Sequence, residues 1–97
     1  GNLGEGVMQY LVVHYFCFEN GRRGWMELRP NFQANKMIHD ISDLFVANRY
    51  SDDQAGLAQA HKDIEKFCDI TELPVENFQV KRVKLEIEDI EIMKQGQ

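Results

Sequence analysis

The residues able to do chemistry are few: three histidines, two cysteines, and a single tryptophan beside a pair of arginines. His61 lies on the flank of an apolar helical stripe, where an imidazole could act as a general base or a ligand. The plainer reading, a ring at the core's edge with one hydrogen-bond partner, is favoured. Cys68 follows on the same flank, but a helix would place it about 10 Å further along its axis. That is too far to share a metal ion with His61, since ligand distances are about 2 Å. His14 and Cys17 are three apart in a strand-like run, so they face opposite sides and do not chelate together. A nucleophilic pair drawn from Cys17 or Cys68 with His14 or His61 is disfavoured, because buried thiols are inert.

Arg22-Arg23-Gly24-Trp25 sets two guanidiniums beside an indole, a combination able to hold a phosphate or stack on a base. A polar hairpin tip with one aromatic turned inward explains the same residues with less. The acids Glu86, Glu88, Asp89 and Glu91 lack the loop geometry of a hard-cation site. No phosphate loop, dinucleotide fingerprint or zinc spacing occurs. The sequence therefore calls for no cofactor and no metal.

The elements that would position these residues make one domain, since 97 residues can build one core. A net charge of -5 disfavours sequence-independent binding to nucleic acid, which needs a positive surface. No apolar run approaches the roughly 20 residues that span a bilayer. The thiols sit inside apolar patterns and are expected buried and reduced, in a cytoplasmic protein. Gly1 to Val7 is Gly-rich and aperiodic, and is expected to be a disordered leader or expression remnant, with residues 8–97 forming the domain.

Met8 to Glu19 is rich in β-branched and aromatic residues on both of its faces, which predicts a strand covered on both sides. Asn20-Gly21 opens a turn that Gly24 closes, and Trp25 to Arg29 is a short second strand ended by Pro30. Met37, Ile38, Ile41, Leu44, Phe45 and Asn48 recur at helical spacing, so Lys36 to Arg49 reads as a helix with Asn35 as its N-cap. Lys36–Asp40 and His39–Asp43 would be ion pairs on its wet side. Ser51-Asp52-Asp53-Gln54 matches a capping box opening a second helix that runs to about Cys68. The inner face of that helix is Leu57, Ala60, His61, Ile64, Phe67 and Cys68. Phe78 to Ile92 alternates as a strand, but its phase slips twice, which suggests bulges near Lys81-Arg82 and Glu88-Asp89. A helix is the competing assignment there. The expected fold is α+β in two layers: a small, mainly antiparallel sheet in β-β-α-α-β order with a helical hairpin on one face.

Folding the last segment back about Leu85 reveals a symmetry. Lys84 meets Glu86, Val83 meets Ile87, Arg82 meets Glu88, Lys81 meets Asp89 and Val80 meets Ile90. Bases meet acids and apolar residues meet apolar ones. One chain cannot use this, because Lys84-Leu85-Glu86 has no turn chemistry. Two chains crossing antiparallel can, since directly opposed residues share a face. A two-fold axis through Leu85 would close a homodimer over Val80 to Ile90. The expected function is thus a small non-enzymatic interaction or assembly domain, with a second copy as its partner. The alternative is a small-molecule-binding domain or small enzyme with a pocket between helix hairpin and sheet, lined by Tyr10, His14, Trp25 and His61. A nucleic-acid reader using Arg22, Arg23 and Trp25 ranks below both.

Overall fold

A computed structural model describes residues 6–30, 38–88 and 90, the side chains of Gly6 and Val7 excepted. The β-branched and aromatic run forms β1, Gly6–Phe16. It therefore begins inside the segment expected to be a leader. Gly21 (φ +71°) supplies the left-handed residue of the following turn, where its N–H donates to the Cys17 carbonyl at 2.8 Å. The second strand, β2, is Arg23–Met26. Gly24 lies within it rather than closing the turn, and β2 stops short of Arg29 because Leu28 turns its N–H to the Asn48 side chain.

The helix expected over Lys36–Arg49 does not form, and only one α-helix occurs among the described residues. Ile38–His39 is instead β3, Leu44–Val46 a single 3-10 turn, and Tyr50–Ser51 is β4. Asn35, Lys36 and Met37 lie outside the described residues. The cause is local. The Asp40 carboxylate accepts from both the N–H (3.0 Å) and the hydroxyl (2.8 Å) of Ser42, the side-chain bonding that competes with helix. His39 bonds Glu27 at 2.7 Å instead of reaching Asp43.

The second helix, α1, is Gln54–Thr71. Its N-cap is Asp53, which accepts the Gly56 N–H at 2.8 Å, and not Ser51, which ends β4 and donates its hydroxyl to Asp53. Gly56 fits because a Cβ there would collide with the Ser51 carbonyl. The buried stripe is Gly56, Ala60, Ile64 and Phe67. It is rotated from the expected face, leaving His61 exposed and Leu57 41% exposed.

The last strand, β5, is Phe78–Ile87, shorter than the Phe78–Ile92 expected: Glu88 and Ile90 are not part of it, and Asp89 and the residues after Ile90 lie outside the described residues. β5 pairs antiparallel with β1 in unbroken register, from Gly6 opposite Ile87 to Tyr15 opposite Phe78, so the bulge expected near Lys81-Arg82 is absent. The slip in its pattern has another cause. Phe78 and Val80 point toward α1, whereas Val83, Leu85 and Ile87 point to the other face, so the strand exchanges its apolar side as it passes the N-terminus of α1. The bulge expected near Glu88-Asp89 falls at the limit of the described residues.

Tyr10 and Leu11 pair with both β4 and β5, and His14 and Tyr15 with both β2 and β5. Since a strand has two edges, β5 takes one edge of β1 for its whole length, and β2 and β4 share the other. The sheet is antiparallel throughout, with β3 outside β2. Leu11, Val13, Met26 and Tyr50 pack against Ala60, Ile64 and Phe67 of α1. On the other face Tyr10 and Val12 pack beneath Ala47 and Leu44 of the segment between β3 and β4. This double cover explains why both faces of β1 are apolar. Among the described residues no helix is long and apolar enough to cross a membrane.

Candidate functional site

Among the described residues β5 hydrogen-bonds only to β1, so its outer edge carries a row of unpaired N–H and C=O groups. Its far half extends past the start of α1 and is two-faced. Arg82, Lys84 and Glu86 project on the α1 side beside Gln9, while Val83, Leu85 and Ile87 project on the other beside Met8 and Tyr10. The apolar side is uncovered: Met8 is 52% exposed, Leu85 44% and Ile87 63%.

The near half of the edge is anchored. The Arg82 guanidinium grips Asp52 through Nε–Oδ2 (2.8 Å) and Nη2–Oδ1 (3.1 Å), and Gln9 donates to Asp52 at 2.9 Å. The bond from Arg82, then that from Gln9, holds the Asp52 carboxyl below its usual range. Beside this anchor lies a cavity of about 360 Å3, lined by Leu11, Leu57 and Val80 and by Asp52, Lys81 and Arg82. Lys84 and Glu86 are exposed, and neither makes an ion pair among the described residues. Glu88 is exposed just beyond β5, Ile90 is 91% exposed, and Asp89 lies outside the described residues.

The other residues marked by the sequence are partly dispersed. Tyr10, His14 and Trp25 share the face away from α1: His14 and Trp25 meet edge-on at 5.1 Å, and Arg49 lies 4.7 Å above the Tyr10 ring. The Trp25 indole donates to the Ile41 carbonyl at 2.8 Å. Burial, followed by the charges of Lys81 and Arg23, keeps the His14 imidazole below its usual pKa. His61 stands apart on α1, lining a separate cavity with Ile64, Val75 and Phe78. With no helical hairpin among the described residues, these four residues do not converge on one pocket. Arg22 and Arg23 also diverge. Arg23 lies opposite Phe16 on the Trp25 face, whereas Arg22 lines a cavity of about 420 Å3 with Tyr15, Cys17 and Leu73. Both cysteines are unbridged and half-buried rather than fully buried. Burial, with Asp69 and Glu76 nearby, pushes the Cys68 thiol up, which makes it a poor nucleophile. Among the described residues no group of three or more histidine, cysteine or acidic side chains could hold a metal ion.

Sequence reasoning missed Gln9, Asp52 and Leu57 as parts of this edge. Asp52 and Arg82 are 30 residues apart, and no local pattern announces such a pair. No family model, curated protein or solved structure matches the chain.

Proposed function

We propose that this domain is a non-enzymatic assembly module that forms a homodimer by antiparallel pairing of β5 with β5 of a second copy, about a two-fold axis at Leu85. The observation that carries the reading is the open outer edge of β5, whose residues, taken with the three that follow the strand, form a sequence with a charge and apolar pattern symmetric about Leu85. The faces agree with the pairing. Lys84 would meet Glu86 of the second copy on the α1 side, and Val83 would meet Ile87 on the other, with the two Leu85 side chains together at the axis. Two uncovered apolar strips would then merge into one.

Charges on an edge strand commonly serve to repel other edges. Here the bases fall before Leu85 and the acids after it. A parallel copy in register would meet like charges, while an antiparallel copy meets opposite ones, so the pattern selects a partner direction as well as a partner. Arg82 is already held by Asp52, which leaves Glu88 of the second copy as a further acceptor rather than a first one. The reading extends to a cytoplasmic setting, favoured by two unbridged thiols.

Amide hydrogen exchange at increasing protein concentration tests this. Alternate N–H groups of β5 face outward, and pairing would slow their exchange as concentration rises. Amides of β5 that exchange at a concentration-independent rate would refute the pairing.

A further inference from the structure

We propose that the groove between α1 and the near half of β5 binds an extended acidic peptide, added to the sheet as a further strand, in which a carboxylate side chain lies between two apolar ones. This goes beyond the homodimer. Pairing about Leu85 sets Val83 to Ile87 of one strand against Ile87 to Val83 of the other, and β5 ends at Ile87. The outer edge from Phe78 to Arg82 keeps its unpaired N–H and C=O groups among the described residues.

The groove is two hollows in series. One, about 280 Å3, is lined on β5 by Phe78 to Val80 and on α1 by His61, Ile64 and Glu65. The other, about 360 Å3, is lined on β5 by Val80 to Arg82 and on α1 by Leu57. They share Val80 and are offset by two residues along the strand. Two residues is the side-chain repeat of a strand, about 6.6–6.8 Å, so an added strand turns alternate side chains toward successive hollows. Both hollows expose apolar surface: Val75, in the first, is 54% exposed, and Leu57, in the second, is 41% exposed.

Charge complementarity names the occupant. From Phe78 to Leu85 the chain carries Lys81, Arg82 and Lys84 and no acid, in a protein of net charge -5. Two acids beside the second hollow are already engaged, Asp52 with Arg82 and Asp53 with the Gly56 N–H. Glu65 borders the first hollow and disfavours a further carboxylate on that face. Lys81 projects on the other face, opposite Val12 of β1; it is exposed and makes no ion pair among the described residues. Directly opposed residues of neighbouring strands share a face. A carboxylate opposite Lys81 therefore meets its ammonium, and the peptide's flanking residues, opposite Val80 and Arg82, turn toward α1 and the hollows. Backbone hydrogen bonds along the edge supply affinity, while the hollows and Lys81 supply the sequence preference.

The test is fluorescence anisotropy with a labelled seven-residue peptide that alternates valine and glutamate. The same peptide with lysine for glutamate, or with a central proline that removes an N–H, should bind roughly tenfold more weakly or worse. Lys81→Glu should weaken binding roughly two- to thirtyfold, by losing an attraction and gaining a repulsion. Leu57→Ser should weaken it roughly three- to tenfold, by losing apolar contact. Both side chains are exposed, so the melting temperature should hold, as circular dichroism would verify. Bound peptide should also slow exchange of the outward amides between Phe78 and Arg82. Equal binding of the glutamate and lysine peptides, an unchanged affinity in Leu57→Ser, or protection confined to Val83–Ile87 would overturn the groove. Sedimentation equilibrium with and without peptide separates this from the dimer. A monomeric chain that binds the peptide keeps the groove and loses the dimer, and a dimer that ignores the peptide does the reverse. Binding that leaves the dimer dissociation constant unchanged supports both, whereas a peptide that dissociates the dimer shows a second copy on this edge and overturns the groove as a separate site.

Discussion

Exchanging the charges on either side of Leu85 isolates the electrostatic part of the proposed assembly. Lys84 and Glu86 lie opposite Gln9 and Val7 of β1, are exposed, and make no ion pair among the described residues. Lys84→Glu should therefore change the stability of one chain by no more than about 0.5 kcal/mol. In the dimer the same change acts twice, setting the introduced carboxylate of each variant chain against Glu86 of the other. A favourable cross-strand ion pair contributes roughly 0.2–1 kcal/mol, and like charges directly opposed cost a similar amount. Losing two attractions and gaining two repulsions comes to about 1–4 kcal/mol, a dimer weakened from about fivefold to several hundredfold. The double exchange, Lys84→Glu with Glu86→Lys, rebuilds both pairs with their signs reversed and should recover most of the loss. Sedimentation equilibrium at low and high salt gives the constants, and the single variant's deficit should shrink as salt screens the repulsion. A single variant that dimerises within about twofold of the natural chain would refute the reasoning. So would a double exchange no better than the single one.

Other expectations concern the fold that presents the edge. Asp53→Ala removes the N-cap of α1 and should cost about 1 kcal/mol in urea unfolding; an unchanged midpoint would show that the Gly56 N–H is satisfied otherwise. His14 has a folded pKa below its ordinary value, first through burial and then through Lys81 and Arg23. Well above about pH 6.5 the ring is neutral folded or unfolded. As the pH falls through that value the unfolded chain takes up the proton first, so stability declines toward acid. His14→Gln should flatten the stability profile between about pH 7 and 5, and equal slopes in the two proteins would contradict this.

Several elements could be read directly from residue types. β1 announced itself through β-branched and aromatic residues on both faces, and the structure explains the pattern by covering it twice, with α1 and with the segment around Leu44 and Ala47. The core of α1 was legible in Ala60, Ile64 and Phe67, though not its phase, because Gly56 is buried for closeness to Ser51 and carries no hydrophobic signal. The segment after Pro30 misled because a chain crossing a sheet face can mimic helical spacing. Leu44 packs down while Phe45 stays 70% exposed. The informative signal was Asp40-Ile41-Ser42, an acid two residues before a serine, where a side chain can replace the helical ladder. The phase slip in β5 was visible, but its cause was not, since a bulge and a change of covering layer leave the same trace in one strand. Only the partner register of β1 separates them. The histidines, the arginines and Trp25 were conspicuous by type, yet they are dispersed over two faces. β5 was legible as a strand from its β-branched alternation, and its outer edge is unpaired among the described residues.

The central claim is that this edge pairs with itself, and solution mass tests it most directly. Light scattering after gel filtration, over a range of concentrations, should give a dimer for the natural chain. The Leu85→Lys variant, with two cations placed together on the axis, should give a folded monomer. A natural chain that remains monomeric at every concentration, or a variant that dimerises as readily as the natural chain, would contradict the account.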